Sequence, residues 1–393
     1  MKALVVTTVH DPLDARIHHR QVRALLQADV EVTYAAPWRA TGTPLSEVAA
    51  GARAVDLPRA SGRRRLRSLL AARRTIARLG REHDVVLLHD PELLLAVLGR
   101  LRRLPPVVLD VHEDLPASVA DRRWIPRGLR RPAVRLANWL ERRAERALAG
   151  LLLAETAYAE RFDDDHPVVA NLPWMPTALS PAAQHQRVVY VGRLSTGRGV
   201  HDLVDLAERL DRDGDPRVEL IGPADRDVVD AVEAAVHRGT LDWHGRLPND
   251  VALARVEGTV AGLSPLHDLP NYRSSMPTKI VEYLAHQVPA ITTPLPEARR
   301  LIEATGAGYV VPFEDVDALV EAVRSLAADP ETCRRLGAAG HAYVAEGHSW
   351  DAVAPAFVEY LRDLAGDAAS GAFGGGSATL ADRPPGHSSG GRP

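Results

Sequence analysis

Residues 188–199 read VVYVGRLSTGRG, an apolar run that passes directly into a glycine-containing turn. The run predicts a buried strand over Val188–Val191, and a helical pattern follows from about His201 to Leu210. A turn between strand and helix exposes backbone N–H groups toward an anion, and Arg193 and Arg198 add positive charge. The stretch therefore indicates either a diphosphate site or an ordinary glycine turn with surface arginines.

This turn differs from two common phosphate-binding sequences. It has neither the P-loop pattern nor the GxGxxG pattern of dinucleotide-binding folds. The difference weighs against an ATPase and against a dehydrogenase.

Short apolar runs alternate with helical patterns along the whole chain, and this alternation predicts parallel sheets covered by helices. A chain of 393 residues normally forms two domains. We therefore predict an α/β fold with two doubly wound, Rossmann-like domains, facing each other across a crevice at the carboxyl ends of their strands. The predicted strands are 3–9, 30–35, 84–88, 106–111 and 151–154, then 188–191, 218–221, 241–243, 260–263, 290–293 and 309–311.

Domain boundaries follow from changes in composition. Asn171–Gln186 is rich in proline and polar residues, which is typical of a connection between domains. We expect an N-terminal domain over residues 1–175 and a C-terminal domain over 176–348. A last helix over 349–365 could cross between them, and residues 366–393, rich in glycine and serine, are expected to be disordered.

Charge is distributed unevenly, although the net charge is only −3. We count 28 basic and 21 acidic residues up to Ser180, against 20 and 30 after it. Arg63–Arg81 and Arg122–Arg146 concentrate the arginines, interleaved with leucines at roughly helical spacing. Such segments could lie on an anionic membrane surface or form solvated helix faces. They lack the interleaved aromatic residues that favour nucleic acid, so we expect no nucleic-acid partner.

Other compositional features exclude several classes of protein. Cys333 is the single cysteine, which excludes an internal disulfide framework and a multi-cysteine metal site. No apolar stretch approaches the roughly 18 residues of a spanning helix. We expect a soluble or peripheral protein.

A second motif lies at residues 271–285, NYRSSMPTKIVEYLA. Pro277 suits the first position of a helix, whose preceding N–H groups would point at an anion. Lys279, one of only two lysines, shares a helix face with Glu282. The carboxylate could accept hydrogen bonds from both ribose hydroxyls, or the two side chains could form a surface ion pair of little energetic value.

Together, the GR and GRG sequences within residues 192–199 and PTKIVEY at 277–283 resemble glycosyltransferase family 4. The resemblance runs from Met1 to about Leu364. It implies a GT-B fold and a retaining, metal-independent glycosyltransferase, hexosyltransferase-like, with no cofactor. Such an enzyme moves a sugar from a nucleotide-diphosphate sugar, UDP- or GDP-linked, to a hydroxyl of a glycan, glycolipid or specialised-metabolite acceptor. We expect a bacterial enzyme in the cytoplasm, either free or peripheral on the inner face of the membrane.

The resemblance assigns roles in the C-terminal domain. Arg193 and Arg198 are similar to the family's basic pair on the donor diphosphate, and Glu282 to the glutamate that holds the ribose. The family's first glutamate would fall at Ser274 and is missing, so Asn271, Tyr272, Ser274 and Ser275 are expected on the sugar or acceptor side. The remaining donor-binding candidates are Gly192, Leu247, Met276, Pro277, Thr278 and Lys279.

In the N-terminal domain, two strands end in polar clusters, VVLLHDPE at 85–92 and VVLDVHED at 107–114. A histidine there could contact a sugar hydroxyl or shuttle a proton, although a single histidine after a strand is often structural. His112 with Glu113 resembles the family's histidine near the donor sugar, so we place both, with Arg193 and Arg198, in the catalytic set. His89 and Asp90 are acceptor-side candidates, and Asp90 could instead cap a helix.

The loop after the first strand adds His10 and Asp14 to the acceptor side. By the resemblance, Arg16 or its neighbours would close over the donor phosphates. His18, His19 and Arg20 could face the acceptor or the solvent, and we expect at least two of them to face solvent.

Two other functions remain open from sequence. A nucleotide-sugar epimerase could use the same fold without an acceptor, and the missing first glutamate could mark a catalytically inactive partner that only binds a sugar nucleotide.

Overall fold

The computed structural model describes residues 1–112, 115–116, 119, 126–210, 215–273 and 276–370. These residues form two compact units. The first contains Met1–His18, Val22–Ala170 and the described chain from Ala356 onward, and the second contains His19–Gln21 with Asn171–Pro355.

The first unit is built on a six-stranded parallel sheet with strand order β3-β2-β1-β4-β5-β6. Two of its strands, Val85–Leu88 and Val107–Val111, are buried along their whole length, and Lys2–Val6 and Glu31–Ala36 are buried after their first residue, as expected when helices cover both faces. The strands are β1 Lys2–Val6, β2 Glu31–Ala36, β3 Arg53–Asp56, β4 Val85–Leu88, β5 Val107–Val111 and β6 Gly150–Leu153. The α-helices described are α1 Arg23–Gln27, α2 Trp38–Thr41, α3 Arg65–Leu79, α4 Leu94–Val97 and α5 Arg127–Ala147, and a π-helical turn spans Ile17–Val22.

The second unit contains another six-stranded parallel sheet, with strand order β12-β11-β10-β7-β8-β9. Its strands are β7 Arg187–Val191, β8 Arg217–Ile221, β9 Leu241–Trp243, β10 Ala261–Ser264, β11 Ala290–Thr292 and β12 Gly308–Val310. Its helices are α6 Val200–Arg209, α7 Val229–His237, α8 Asn249–Ala254, α9 Pro270–Arg273, α10 Thr278–Ala285, α11 Pro296–Thr305, α12 Val316–Ala328 and α13 Pro330–Ala345.

A long last helix, α14, spans Trp350–Ser370. Its first residues group with the second unit, and the residues from Ala356 onward group with the first. The helix continues through residues 366–370, which the sequence analysis assigned to the tail. The tail was therefore predicted to begin too early. Asp367 and the small residues around it bury little, but they continue the helix. Residues 371–393 lie outside the described chain.

The strand order identifies where ligands bind in each sheet. In doubly wound sheets ligands bind beyond the carboxyl ends of the strands where the order reverses. The reversal falls between β1 and β4 in the first sheet and between β7 and β10 in the second.

The predicted fold class is confirmed, with two Rossmann-like units of parallel strands and helices. One strand was not predicted, the edge strand β3, because its sequence RAVD alternates charged and small residues rather than forming an apolar run. Among the described helices, none combines the length and the apolar character that crossing a membrane requires.

Candidate functional site

In the second unit, glycines shape the turn that follows β7. Gly192 has φ of +137°, and a Cβ built there would lie 3.3 Å from Lys279 Nζ. At Gly199, φ is +75°, and a Cβ would meet the carbonyl oxygen of Pro265 at 2.1 Å. Side chains cannot occupy these positions without strain. The turn thus brings its backbone close to Lys279.

Helix α10 is held against the ends of two strands by Tyr283. The Tyr283 hydroxyl donates to the Leu263 carbonyl oxygen at 3.1 Å and accepts from the Val191 N–H at 3.0 Å. Every residue of the helix after Thr278 is buried. Its N-terminus and Lys279 in its first turn are therefore fixed near the carboxyl ends of β7 and β10. The sequence placed Pro277 at the first helical position. In the structure Pro277 is instead the N-cap, and the helix begins one residue later.

Lys279 is a buried cation, with 6% of its surface exposed. Its Nζ lies 3.5 Å from the centroid of the Tyr190 ring and makes no hydrogen bond within the described parts of the chain. Burial and the nearby positive charge of Arg198 hold the pKa of Lys279 well below its usual value, against the opposing effect of Glu282. Such an unpartnered amine is costly to bury. It favours an anion site here over the surface ion pair.

The two predicted diphosphate arginines are placed differently. Arg198 is half-buried, with its guanidinium carbon 5.8 Å from the centroid of the Tyr272 ring. Burial raises the pKa of Tyr190 to about 12, although the charge of Arg198 and its hydrogen bond to Tyr190 oppose this. Arg193 is exposed, and its Nε donates to Asp225 at 2.6 Å. The structure therefore groups Arg198 with Lys279 and pairs Arg193 with a carboxylate.

Glu282, the predicted ribose ligand, accepts a hydrogen bond from Arg20 Nη2 at 2.9 Å. The same guanidinium donates from Nη1 to Asn171 Oδ1 at 2.9 Å and from Nε to the Leu172 carbonyl oxygen at 2.5 Å. All four residues belong to the second unit, since residues 19–21 group with it. Arg20 therefore orients one oxygen of Glu282.

The expectation that two of residues 18–20 face solvent was wrong. His18 and Arg20 are buried and His19 is half-buried, because these residues lie in the π-helical turn Ile17–Val22 and point inward. His18 Nε2 accepts from the Ala49 N–H at 3.0 Å.

In the first unit, Asp110 is the centre of a buried charge network. Arg16 donates to both of its carboxylate oxygens, from Nε at 2.7 Å and from Nη2 at 2.6 Å. His89 Nδ1 and His112 Nδ1 each lie 3.2 Å from Asp110 Oδ2. Burial would raise the pKa of Asp110, but Arg16 and the two imidazoles outweigh it and hold that pKa well below its usual value. Asp110 is therefore an ionised acceptor for three side chains.

The prediction that Arg16 closes over donor phosphates is contradicted by this network. Arg16 is 4% exposed, bidentate to Asp110, and donates from Nη1 to the Val169 carbonyl oxygen at 2.9 Å. A guanidinium so engaged has a structural role. Sequence could not show this, because the ion pair joins residues 94 positions apart.

The pKa values of the two histidines beside Asp110 are shifted in opposite directions. Burial lowers the pKa of His89 despite Asp110, so His89 is neutral and its Nδ1–H donates to the ionised carboxylate. For His112, burial is outweighed by the hydrogen bond and charge of Asp110, which raise its pKa. His112 Nε2 lies 3.0 Å from His10 Nε2, so one of these nitrogens donates and the other accepts.

Asp90 is part of the scaffold. Its carboxylate accepts from the Thr7 hydroxyl, from the N–H and hydroxyl of Thr8, and from the Val9 N–H. It makes no side-chain cap to the turn that begins at Pro91. The interpretation of Asp90 as a helix cap was wrong, because the β1 loop takes up most of its hydrogen-bonding capacity. Its place on the acceptor side stays a prediction. Asp14 similarly accepts from the N–H groups of the turn that follows it.

A cavity of about 210 Å³ adjoins this network. His89 borders the cavity, and its buried Nε2 has no hydrogen-bond partner among the described residues. The lining combines the three histidines with apolar side chains of the surrounding helices, notably His10, His89, His112, Leu94, Leu95 and Leu140. A polar molecule in the cavity would find an unprotonated imidazole nitrogen.

His89, Asp110 and His112 could in principle hold a metal ion, since their ligand atoms lie within 4.8 Å of one another. The guanidinium of Arg16 already occupies both oxygens of Asp110 and neutralises its charge. This donor set fits a hydrogen-bond network better than a metal centre.

Several predicted residues contribute less than expected or cannot be placed. Leu247, Tyr272 and Met276 pack partly buried against the apolar core of the second unit. Glu113, Ser274, Ser275 and the side chain of Asn271 lie outside the described residues. Sequence reasoning missed Asp110, Arg20 and Tyr190 as site residues. Only Asp110 carried a signal, a charge within the apolar strand Val107–Val111.

Two doubly wound parallel sheets in one chain are typical of glycosyltransferases with the GT-B fold. Two family models match the chain, "Glycosyltransferase Family 4" over residues 14–166 and "Glycosyl transferases group 1" over residues 179–343. The chain belongs to the glycosyltransferases that these models describe. No curated protein gives a significant sequence match.

Solved structures share the fold at low sequence identity. Sucrose-phosphate synthase from Thermosynechococcus elongatus is 18% identical, with a TM-score of 0.68 over 92% of this chain and 98% of that one. HepE of Anabaena, in complex with UDP-glucose, is 15% identical with a TM-score of 0.66 over 92% and 100%. WaaG, a glycosyltransferase involved in lipopolysaccharide biosynthesis, is 12% identical with a TM-score of 0.63 over 92% and 99%.

Proposed function

We propose that this glycosyltransferase moves a hexosyl group from a UDP- or GDP-linked donor to a hydroxyl acceptor, with retention of configuration and without a metal ion. The observation that carries the proposal is the buried, unpartnered ammonium of Lys279 beside Arg198 and the Gly192 turn. A donor diphosphate would supply the missing anion. HepE, which was solved with UDP-glucose, makes UDP-sugars the first donors to test.

The diphosphate leaves with growing negative charge, and the second unit holds the groups that stabilise it. Lys279, Arg198 and the N-terminus of α10 are fixed before the reaction begins, so they need no reorganisation during it. The second oxygen of Glu282 would accept from the ribose while Arg20 holds the first. These groups supply the stabilisation that a metal ion provides in other transferases.

The first unit would bind the acceptor. The neutral His89 donates from Nδ1 to Asp110, so its Nε2 can accept a hydrogen bond from an acceptor hydroxyl in the cavity. His112, which carries the higher pKa, would contribute a positive imidazolium near the donor sugar. Asp90 and Asp110 are saturated by hydrogen bonds, so neither is available as a covalent nucleophile. We therefore favour attack on the face that the diphosphate leaves, with the departing phosphate taking the acceptor proton.

The experiment measures thermal stability and slow donor hydrolysis with a panel of UDP- and GDP-sugars, with and without EDTA. We expect one donor to raise Tm and to be cleaved equally in both conditions. Lys279→Met should abolish the shift, whereas Lys2→Met, which removes the exposed lysine paired with Glu31, should leave it intact. If no donor stabilises the wild type, the proposal fails.

Product analysis separates the remaining alternatives. An isomerised nucleotide sugar would identify an epimerase, and binding without cleavage would identify an inactive partner. The cavity lined by His89 favours transfer, because an epimerase needs no acceptor site. We place the enzyme in the cytoplasm, in agreement with its single, buried Cys333.

A further inference from the structure

Three helices of the first unit cover the same face of its sheet. Inward-pointing residues of α3, α4 and α5, among them Ile76, Leu94 and Ala144, belong to one apolar core together with Leu88 and Leu109 of the strands. Arg65 of α3, Leu95 of α4 and Leu140 of α5 also line the same cavity. The helices are therefore neighbours, and their outward sides form one surface.

That surface exposes large apolar side chains. Leu66 is 67% exposed and Trp139 is 54% exposed, and four leucines on these helices are comparably accessible. Single exposed leucines need no explanation, but a group on adjacent helices does. We call the outward side of α3, α4 and α5 the arginine–leucine surface; its exposed apolar residues are Leu66, Leu70, Leu95, Leu129, Leu136 and Trp139.

The charge on this surface is of one sign within the described residues. Helix α3 contains no acidic residue, and the two in α5, Glu141 and Glu145, are buried. Glu141 accepts from Arg161, and Glu145 from the N–H groups of residues 163 and 164. Exposed arginines interleave with the leucines, including Arg63, Arg67, Arg74, Arg131, Arg135 and Arg142.

A groove along α3 shows how the two kinds of side chain combine. It is lined by Leu66, Leu70 and Ala71 together with Arg63, Arg67 and Arg74. Leucine side chains offer contacts to acyl chains, and guanidinium groups offer paired N–H donors to phosphate. The groove matches the boundary between headgroups and acyl chains of a phospholipid layer.

We propose that the arginine–leucine surface docks this enzyme on an anionic phospholipid bilayer. Anionic lipids complement the charge of the arginines. The exposed leucines and Trp139 can enter the membrane interface, where burying their apolar surface is favourable, whereas exposing it to water is not. Nucleic acid fits less well, since the exposed apolar group contains one aromatic residue and the rest are leucines. Because the same helices line the histidine cavity, docking brings that cavity to the membrane surface. The placement of the cavity at the membrane rests on the proposed function, whereas the docking of the surface does not depend on that function.

The first experiment is flotation of the full chain with vesicles of phosphatidylcholine alone or mixed with phosphatidylglycerol. We expect flotation only with phosphatidylglycerol. Replacing Arg63, Arg67 and Arg74 by glutamine should weaken partitioning by roughly 100-fold at low salt. The matched control, Arg299→Gln with Arg300→Gln and Arg335→Gln, removes three exposed arginines of the second unit and should change little. Equal losses in both triple variants would mean unspecific charge attraction and would overturn the proposal.

A second measurement reports the docking face directly. The single native cysteine, Cys333, is buried, so a cysteine introduced on the surface can be labelled alone. An environment-sensitive fluorophore at Leu95→Cys should shift to the blue on anionic vesicles, and one at Arg299→Cys should not. An unshifted Leu95 label on floated protein would show that another surface binds.

Donor hydrolysis measured on the same samples separates this inference from the proposed function. The anion site is built from residues of the second unit, whereas Arg63, Arg67 and Arg74 belong to the first, so their variant should cleave a soluble donor at the wild-type rate. Failure of flotation with normal hydrolysis rejects docking alone. Absence of hydrolysis in the wild type rejects the enzyme proposal and leaves the flotation result valid.

Discussion

In the second unit a buried lysine amine has no hydrogen-bond partner, whereas in the first a buried carboxylate has three. Lys279 lies against Tyr190 with its Nζ unbonded within the described chain, and Asp110 accepts from Arg16, His89 and His112. Unpaired buried charge is costly and persists where a ligand completes it, while paired buried charge fixes local geometry. The comparison supports the proposal that Lys279 binds an anion, and it gives Asp110 the role of fixing the geometry beside the cavity.

The largest expected effect comes from breaking the paired network. Asp110→Asn leaves the Arg16 guanidinium buried without a counter-charge and should lower the free energy of unfolding by about 3–5 kcal/mol. Denaturant unfolding monitored by tryptophan fluorescence measures it. Asp242→Asn, at a partly exposed pair with Arg217, is the control and should cost much less. A small loss at Asp110 would show that the network contributes little to stability.

The next effect distinguishes the two predicted diphosphate arginines. Arg198→Ala should lower kcat/KM for the donor about 10²-fold or more, as expected for a preorganised group at the leaving phosphates. Arg193→Ala should lower it less, because Asp225 already holds that exposed guanidinium. Steady-state kinetics with the identified donor provide the test. The reverse order would show that Arg193 leaves Asp225 when the donor binds.

Arg20 tests whether the anion site depends on support from outside residues 179–343, the segment that the group 1 model matches. Arg20→Lys cannot reproduce three hydrogen bonds from one planar group, so Glu282 should lose its fixed orientation. We expect KM for the donor to rise about 10-fold, with a smaller change in kcat. Arg23→Lys, on the neighbouring exposed position, provides the control. An unchanged KM would leave Arg20 with a purely structural role.

The smallest effect is a pH dependence of stability from the two histidines beside Asp110. The pKa of His112 is raised by Asp110, so its contribution is fully present below the unfolded pKa and is lost as pH rises through the folded pKa. The pKa of His89 is lowered by burial, so protonation at acidic pH opposes folding. The difference in unfolding free energy between wild type and His112→Gln should therefore shrink as pH rises through the folded pKa of His112. A difference that grows with pH would contradict this assignment.

Sequence alone predicted eleven of the twelve strands within a few residues, because a strand buried on both faces must be apolar. It also predicted that the histidine clusters would follow β4 and β5, and that the glycine turn would follow β7. It did not predict which charged side chains would pair with each other. Arg16 was expected at the phosphates and is held by Asp110. Arg20, which was expected to face either the acceptor or the solvent, is held by Glu282.

The sequence by itself determined the features that depend only on residues close together in the chain. Apolar runs, the positive φ at Gly192 and the helix after Pro277 depend on local sterics and periodicity, and the motifs at 192–199 and 277–283 carried the family. Only the tertiary structure decided which charges are paired. Arg16 and Asp110 are 94 positions apart and Arg20 and Glu282 are 262 apart, so their pairing depends on how the sheets and turns bring distant side chains together. The same long-range packing left Lys279 buried without a partner and so marked the anion site.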